Sequence, residues 1–354
     1  MLNPSLKLNE KMFDADVEQV PIRKGFGEGF LKAAEADKNV VGLCADLTES
    51  TQMLKFKEKF PERFIEIGVA EQNLATVASG MAAMGKIPFM TSYAMFSPGR
   101  NWEQIRTTIC YNNRPVKIVG SHAGISVGPD GGTHQAIEDI AIMRVIPRMV
   151  VICPCDAIEA KKATLAAAKT DQPTYIRLAR EKTPIMTTED TPFEIGKAQM
   201  IFDSRLRQGY DGQARSRVGT RDKEQGKKET PLDVGIIASG ALLHKALKVA
   251  HELDSHGKKV AVLNLATIKP LDEHAIIKLA HEAGAIVTVE EHQVAGGVGS
   301  AVAECLASHY AVPIEFVGVQ DQFGQSGKPD ELIEHYGMGE KHIKEAVHKV
   351  LLRK

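Results

Sequence analysis

The stretch that decides the fold is Pro115-Val-Lys-Ile-Val119-Gly-Ser-His122-Ala-Gly124, in which a short apolar run passes directly into a glycine-rich loop. A β-branched run of this length predicts a buried strand. Similar apolar runs alternate with amphipathic segments on both sides of it. The apolar runs are Asn39–Cys44, Arg63–Glu66 and Met149–Ile152. The amphipathic segments are Ala70–Met84, Asn101–Tyr111 and Ile137–Arg144. This alternation predicts an α/β domain in which helices cover the faces of a parallel sheet. Because ligands of such sheets bind beyond the carboxyl ends of the strands, the loops after the strands are the candidate functional segments.

A second, smaller α/β domain is predicted after a polar segment. Its apolar runs are Asp233–Ala238, Val260–Leu263 and Ala285–Val289, and its last element is an amphipathic helix over Lys341–Leu352. The polar segment Phe202–Pro231 is rich in Arg, Lys, Gly and Gln and has almost no large apolar residues, so we expect a mobile, solvated linker or insertion. We assign residues 18–185 to the first domain, 186–231 to the linker with its insertion, and 232–354 to the second domain.

Composition and charge describe an ordinary globular protein. The 354 residues are enough for two domains, 43% of them are hydrophobic and 25% are charged. A formal net charge of −1 gives no electrostatic reason to expect nucleic acid or a membrane as a partner. Met1–Val20 contains no apolar stretch of signal-peptide length, so we expect a cytoplasmic protein. The five cysteines are expected to be buried thiols, and their spacing predicts neither a zinc site nor a disulfide framework.

Three loop segments contain residues suited to chemistry. In Ile67-Gly-Val-Ala-Glu71 a glycine turn leads into a helix that opens with a glutamate, although a glutamate in a first helical turn is also common because it interacts with the helix dipole. The glycine-rich loop Gly120–Gln135 carries two histidines and an aspartate directly after a strand, which favours a functional loop. Thr91-Ser-Tyr93-Ala-Met-Phe96 offers two aromatic rings, which suit either a platform for an aromatic ligand or plain core packing.

These segments stand in the order and spacing of the transketolase family. Gly68-Val-Ala-Glu71 resembles the family's Gly-Val-X-Glu motif, and Leu178-Ala-Arg180 resembles its Leu-Ser-Arg motif. His122–Gln135 resembles its loop His-(Asp/Ala)-(Ser/Gly)-Ile-X-Val-Gly-X-Asp-Gly-X-Thr-His-Gln. The resemblance extends from about Ile22 to the C-terminus and is interrupted at Phe202–Pro231. It implies a thiamine-diphosphate pyrimidine-binding domain followed by a transketolase C-terminal domain.

The resemblance implies which residues hold the pyrimidine half of thiamine diphosphate. Glu71 would share a proton with the pyrimidine N1′, so that the cofactor's own 4′-amino group can act as a base. Tyr93, in place of the family's usual phenylalanine, and Phe96 would stack on the pyrimidine ring. Asp46 matches an aspartate that lies near the cofactor.

One cofactor contact is left open by the resemblance. The family's third aromatic residue falls near Gly99 or Arg100 in this sequence. Trp102 is the aromatic residue close enough in sequence to replace it. The sequence decides neither whether Trp102 takes that place nor whether Tyr93 changes the affinity for the cofactor.

For the substrate, the resemblance implies a sugar phosphate, which needs cations for its phosphate and hydrogen-bonding groups for its hydroxyls. The residues that would hold the sugar phosphate are Arg23, Ser50, His122 and Arg180. Asp130 would bind the C2 hydroxyl of the acceptor aldose, and His134 would assist proton transfer near the reacting carbonyl. The predicted catalytic residues are therefore Glu71, His134 and His122. Arg23 also admits a plainer interpretation as a solvated cation at the start of a helix.

The motif with which the family binds the cofactor's diphosphate does not occur in this sequence. The family holds the diphosphate through a divalent metal, using a Gly-Asp-Gly stretch with an asparagine further along, whereas Pro129-Asp130-Gly131 here belongs to the substrate loop. The resemblance therefore implies an α-type partner subunit that holds most of the Mg²⁺ and diphosphate site, with no metal ligands on this chain. It also implies an α2β2 assembly. Gly296-Gly-Val-Gly299 lacks the spacing of a dinucleotide-binding loop.

The implied activity is that of a split transketolase in the pentose phosphate pathway. It would transfer a two-carbon ketol unit from a ketose phosphate such as xylulose 5-phosphate to an aldose phosphate such as ribose 5-phosphate. A subunit like 1-deoxyxylulose-5-phosphate synthase, a subunit like the β chain of 2-oxoacid dehydrogenases, and an inactive scaffold subunit stay open as alternatives. His122, Asp130 and Thr133-His134-Gln135 favour a sugar phosphate over the first two. The presence of Glu71, Asp130 and both loop histidines argues against the scaffold.

Overall fold

The structure is a computed structural model that describes residues 1–206 and 231–354. Up to residue 206 its strands and helices are β1 Gln19–Pro21, α1 Ile22–Ala36, β2 Val40–Cys44, α2 Leu54–Lys59, β3 Phe64–Glu66, α3 Glu71–Ala83, β4 Ile87–Tyr93, α4 Trp102–Gln104, β5 Lys117–Ser121, α5 Asp139–Arg144, β6 Val150–Ile152, α6 Ala157–Ala168, β7 Thr174–Arg177, β8 Lys182–Pro184 and β9 Gln199–Asp203. From residue 231 onward they are β10 Val234–Ala238, α7 Leu243–Ser255, β11 Val260–Asn264, β12 Thr267–Lys269, α8 Glu273–Ala283, β13 Ile286–Gln293, α9 Val298–His309, β14 Ile314–Val319, α10 Pro329–His335 and α11 Glu340–Leu351.

The first sheet has the strand order β12-β6-β7-β5-β4-β2-β3 and is parallel except at β12, which pairs antiparallel with β6. Its central strands read as continuous apolar runs because helices cover both faces. In β5, Ile118 packs in the core beneath α3 and α5, whereas Val119 packs in the core beneath α1 and α6. The predicted α/β fold with a parallel sheet is confirmed.

The second sheet has the strand order β14-β13-β10-β11-β9 and is parallel except at β9, which pairs antiparallel with β11. Strand β9 lies in the segment that the sequence assigns to the linker. Phe202 and Asp203, the first residues of the polar segment, are buried. The expectation of a solvated segment from Phe202 is corrected there, because the Phe202 ring fills the core of the second domain. The rest of the predicted insertion, residues 207–230, lies outside the described residues.

The two domains share structural elements. Strand β12, which follows β11 in the second domain, completes the edge of the first sheet. At the N-terminus, Leu2 forms a β-bridge with Phe202, and the Met1 backbone carbonyl accepts a hydrogen bond from the Asp203 N–H at 2.9 Å. The first residues of the chain therefore pack with the second domain.

One predicted helix departs from the regular α form. Over the predicted segment Asn101–Tyr111, α4 continues as a π-helix at Ile105–Cys110. Thr107 and Thr108 donate their hydroxyls to the backbone carbonyls of Glu103 and Gln104. Such side-chain bonds compete with the regular backbone ladder, which favours a local change of helical register.

All five cysteines are buried and free, as the sequence predicts. Among the described residues, no helix combines the length and the apolar composition that crossing a bilayer requires.

Candidate active site

The candidate residues gather where β2, β4 and β5 end. These strands lie side by side and run parallel, with Tyr93 opposite Ser121. Asp46 follows β2, Tyr93 ends β4 and His122 follows β5. Their carboxyl ends therefore share one edge of the sheet, which is the position at which ligands of open α/β sheets bind.

Four rings from two of the predicted segments form an aromatic cluster at this edge: Tyr93, Phe96, His122 and His134. The Tyr93 ring stacks on His122 with centroids 3.9 Å apart and lies 6.1 Å from Phe96. Phe96 meets His134 edge-on at 5.3 Å. Tyr93 and Phe96 are only partly buried. The two rings therefore keep aromatic surface that a flat ligand can cover, which favours the platform interpretation over plain core packing.

Glu71 begins α3 and is 4% exposed. Its two carboxylate oxygens each lie 3.2 Å from Nη1 of Arg100. The Arg100 guanidinium in turn lies over the Phe96 ring, 4.2 Å from the centroid. Asn101 fixes the helix start because its Nδ2 donates to the Glu71 carbonyl at 2.9 Å. Arg100 therefore links the buried acid to the aromatic cluster, a connection that sequence reasoning missed.

The position of the family's third aromatic residue has no aromatic side chain here. A Cβ atom at Gly99 would lie 1.9 Å from the Met95 carbonyl oxygen, so this backbone accepts no larger residue there. Trp102 donates its indole N–H to the Ile142 carbonyl at 2.8 Å and packs against the core of the first domain. The structure therefore puts Trp102 outside the aromatic cluster.

Two predicted substrate cations lie close together. Arg23 donates from Nη1 to the Ser50 carbonyl at 2.7 Å and from Nε to the Arg180 carbonyl at 3.4 Å. Arg180 donates to the Val127 carbonyl at 2.6 Å, within the glycine-rich loop. Burial and the positive charge of Arg180 lower the pKa of Arg23. Arg23 is half-buried and anchored, so the interpretation of a solvated cation does not describe it.

His122 is a neutral imidazole in this environment. Burial, together with the charges of Arg23, Arg180 and His134, lowers the pKa of His122 to about 3. Its Nδ1 lies 2.9 Å from the Ser121 hydroxyl, and its backbone takes a left-handed φ of 56°. A neutral ring can donate or accept a hydrogen bond without adding to the positive charge of the site.

The two predicted aspartates are exposed. Asp130 ends the 3₁₀ segment Ile125–Asp130. Asp46 has a left-handed φ of 57°, and its backbone N–H donates to Glu66 at 2.7 Å. Glu66 also accepts from the Gly68 N–H at 3.0 Å and the Thr48 hydroxyl at 3.1 Å. Glu66 therefore joins the loop after β2 to the loop before α3. Sequence reasoning missed this role, and the one feature that could have indicated it is the position of a carboxylate directly before a glycine turn.

Contacts from the second domain hold the glycine-rich loop. Glu291 accepts the backbone N–H of Ser126 at 2.5 Å, and burial raises the pKa of Glu291. Gln135 donates to the Gln325 carbonyl at 3.0 Å. A Cβ atom at Gly124, whose φ is +91°, would lie 2.4 Å from Glu291 Oε1, so glycine is required there.

The other glycine-rich segment, Gly296–Gly299, is already occupied by a side chain of the protein. Glu290 accepts the backbone N–H groups of Val298 and Gly299, each at 2.7 Å, at the start of α9. Burial raises the pKa of Glu290 to about 8. These amides are therefore bonded within the domain, and the segment caps a helix.

The residues at the sheet edge fit the pyrimidine half of thiamine diphosphate. A buried carboxylate at Glu71 and partly exposed rings at Tyr93 and Phe96 offer the hydrogen-bonding and stacking contacts that an aminopyrimidine needs. Across residues 1–206 and 231–354, no group of three or more His, Cys, Asp or Glu side chains is arranged to hold a metal ion. The described residues thus offer contacts for the pyrimidine and none of that kind for a metal.

Comparisons with known proteins agree with this geometry. Residues 18–186 match the family model for the transketolase pyrimidine-binding domain, and residues 225–343 match the model for the transketolase C-terminal domain. A Methanocaldococcus jannaschii protein described as a transketolase C-terminal section is 41% identical over 90% of this chain and 92% of its own length. A Clostridium sp. subunit of a 6-deoxy-6-sulfo-D-fructose transketolase is 38% identical over 97% of this chain and 98% of its own length.

Among solved structures, a split-gene transketolase described as an inactive β4 tetramer superposes with a TM-score of 0.81. It is 39% identical, and the match covers 95% of this chain and 99% of that one. Both domains, their order and the residues at the sheet edge lead to one assignment. The chain belongs to the transketolase family, and it carries that family's pyrimidine-binding and C-terminal domains.

Proposed function

We propose that this chain is the β-type subunit of a split transketolase and that, with an α-type subunit, it moves a two-carbon ketol unit from a ketose phosphate to an aldose phosphate. The observation that carries the proposal is one sheet edge at which a buried glutamate, partly exposed aromatic rings and two anchored arginines meet. The first two features suit the cofactor, and the arginines suit an anionic sugar.

Glu71, Phe96 and Tyr93 are the proposed contacts to the pyrimidine ring. When bound, thiamine diphosphate supplies an electron sink for the reacting carbonyl. Glu71 holds a proton at the pyrimidine N1′, and the two aromatic side chains stack on the ring. Asp46 follows β2 on the same edge of the sheet and would lie near the bound cofactor. The diphosphate and Mg²⁺ are assigned mainly to the α-type subunit, in an α2β2 assembly.

Arg23 and Arg180 are the proposed ligands of the sugar's terminal anion, together with Ser50. Their guanidinium groups suit tetrahedral oxyanions because they present several N–H donors in one plane. His122, held neutral, bonds to the sugar without repelling the arginines. His134, beside Phe96, moves a proton near the reacting carbonyl, and Asp130 binds the C2 hydroxyl of the acceptor aldose.

The nature of the terminal anion separates two candidate donors. Xylulose 5-phosphate, with ribose 5-phosphate as acceptor, is the first candidate because the motifs resemble those of the family's sugar-phosphate loop. A 6-deoxy-6-sulfo ketose is the second, because the relative that is 38% identical to this chain is named for that substrate. Phosphate and sulfonate both present tetrahedral oxygens, so Arg23 and Arg180 suit either.

The deciding experiment measures ketol transfer by the chain alone and by the chain mixed with its α-type subunit, with thiamine diphosphate and Mg²⁺ present. Transfer from xylulose 5-phosphate in the mixture only is the expected result. Transfer from the sulfo sugar only would favour the second donor, and activity of the chain alone would contradict the need for a partner. No transfer with either donor would favour a pyruvate-using or scaffold subunit.

Glu71→Ala tests the proposed acid within the same assay. It should abolish transfer while the variant still folds and assembles, because Glu71 is the buried acid that Arg100 joins to the Phe96 ring. Glu103→Ala is the matched control, since Glu103 is an exposed glutamate near the same loop. Near-normal activity of Glu71→Ala would contradict the assigned role.

A further inference from the structure

The Arg100 guanidinium contacts both Glu71 and Phe96, two of the residues that the proposed function assigns to the pyrimidine ring. Its Nη1 lies 3.2 Å from each oxygen of Glu71, and its guanidinium carbon lies 4.2 Å from the centroid of the Phe96 ring. The Arg100 side chain is 51% exposed, whereas the Glu71 side chain is 4% exposed. A half-exposed cation therefore sits between a buried acid and an aromatic face.

This contact solves an electrostatic problem of the cofactor-free chain. A buried carboxylate without an opposite charge or a hydrogen bond is strongly unfavourable. Within the described residues, Arg100 is the side chain that hydrogen-bonds to the Glu71 carboxylate. Loss of Arg100 would leave that carboxylate without its cation.

The chemistry of the two planar groups is closely matched. A guanidinium is planar and delocalised, it directs N–H groups at a carboxylate, and it stacks on aromatic faces. A pyrimidine that shares a proton at N1′ also presents a flat face and an N–H directed at the acid. We propose that Arg100 is an internal stand-in for the thiamine pyrimidine, and that cofactor binding requires its side chain to leave Glu71 and Phe96. The inference rests on the proposed function, because it takes these two residues as the pyrimidine's contacts.

The exchange requires movement of one side chain. The Arg100 backbone N–H donates to the Phe96 carbonyl at 2.9 Å, which fixes the turn between them. Asn101 donates to the Glu71 carbonyl at 2.9 Å, which fixes the start of the helix that carries the acid. Because half of the Arg100 side chain already faces solvent, its guanidinium can swing outward while the acid and the ring stay in place.

Arg100→Gln in the complex of this chain with its α-type subunit is the direct test. Calorimetric titration with thiamine diphosphate in the presence of Mg²⁺ measures the dissociation constant. Removing the competing cation should lower the Kd about two- to fivefold, the range for one half-exposed ion pair. Arg106→Gln is the matched control, because Arg106 is an exposed arginine of the adjacent π-helix, and its Kd should equal that of the wild-type complex.

Thermal unfolding of the free chain provides a readout that needs no cofactor. Arg100→Gln should lower the midpoint of unfolding because the buried Glu71 loses its cation. The double variant with Glu71→Gln should recover most of that loss, since a neutral amide no longer needs the cation. Arg106→Gln should leave the midpoint unchanged.

Different outcomes overturn the inference and the proposed function. Equal or weaker cofactor binding by Arg100→Gln, while the wild-type complex binds normally, would overturn the inference and leave the proposed function intact. An Arg100→Gln chain as stable as the wild type would also overturn the stand-in role. Failure of both complexes to bind thiamine diphosphate would overturn the proposed function and the inference with it.

Discussion

Glu291 of the second domain accepts a hydrogen bond from the backbone N–H of Ser126, 2.5 Å away, although the two residues are 165 positions apart in the sequence. Arg177 donates to the backbone carbonyl of the same glutamate at 2.8 Å and forms a buried ion pair with Asp139, also at 2.8 Å. The loop that carries His122 is therefore fixed from outside its own domain. The second domain thus acts as a positioning element for the candidate active site.

Replacing Glu291 should reduce catalysis by loosening this loop. Glu291→Ala leaves the buried Ser126 N–H unpaired, which costs about 1–3 kcal/mol, so kcat/KM of the assembled enzyme should fall roughly five- to hundredfold. Glu291→Gln keeps an oxygen that can accept the bond, so it should restore most of the activity. Steady-state kinetics with varied sugar donor, beside thermal unfolding, measures both effects.

Kinetics and thermal unfolding together distinguish whether Glu291 positions the loop for catalysis or only stabilises the fold. If Glu291→Ala unfolds at a lower temperature but keeps a normal kcat/KM at a temperature where it is folded, the contact holds the domains together without shaping the site. If Glu291→Gln loses as much kcat/KM as the alanine variant, the negative charge matters rather than the bond to Ser126.

The free energy of unfolding should depend on the protonation of Glu290. Burial raises the pKa of Glu290 from 4.5 to about 8, so between these values the folded protein holds a proton that the unfolded chain releases. The stabilisation that protonated Glu290 contributes is therefore complete below pH 4.5 and is lost as the pH rises through about 8. Within this window the group should lower the free energy of unfolding by up to about 1.4 kcal/mol per pH unit.

Urea denaturation of wild type and Glu290→Gln across that pH window measures this dependence. The variant should show a shallower decline of stability with rising pH, because its amide does not titrate. Glu159, whose pKa burial raises to about 7, should maintain part of the decline in the variant. Identical pH profiles for the two proteins would show that Glu290 is ionised in the fold throughout.

His122 should titrate well below the ordinary histidine range, and its neighbours should control by how much. Burial and the charges of Arg23, Arg180 and His134 together lower the pKa of His122 to about 3. Arg180→Gln removes one of these charges, so the pKa of His122 should rise. Ring ¹⁵N shifts followed by NMR against pH measure it, with Arg106→Gln as the control. An unchanged pKa in Arg180→Gln would mean that burial dominates and that the arginine charge is screened.

The fold could be predicted because its strands carry their signal locally. The run around Ile118 and Val119 is apolar on both faces, which a parallel sheet covered by helices requires. Strand β9 could not be predicted, because it stands beside a polar segment and gains its structure from pairing with β11. Its apolar run, Met200-Ile-Phe202, is three residues long, which is too short to predict a strand by itself.

The residues of the site could be predicted from motifs, whereas their connections could not. Glu71, Phe96 and His122 each lie in a recognisable segment, yet no motif shows that Arg100 spans the first two. That contact depends on the turn after Phe96, where Gly99 lets the chain approach the Met95 carbonyl. From sequence alone, a charged side chain such as Arg100 is expected to be exposed. Its partners could not be predicted because they are brought to it by the tertiary structure.

Replacing Trp102 should leave cofactor binding unchanged, because this residue lies outside the aromatic cluster. Trp102→Phe keeps an aromatic ring but removes the hydrogen bond to the Ile142 carbonyl, so we expect a loss of about 1 kcal/mol of stability. Phe96→Leu is the contrasting variant: losing its stacking surface should raise the Kd for thiamine diphosphate about two- to tenfold in the assembled enzyme. Titration calorimetry and urea denaturation measure the two quantities. If Trp102→Phe weakened cofactor binding as much as Phe96→Leu, Trp102 would have to move into the site with the cofactor, and a platform of Tyr93 and Phe96 alone would be incomplete.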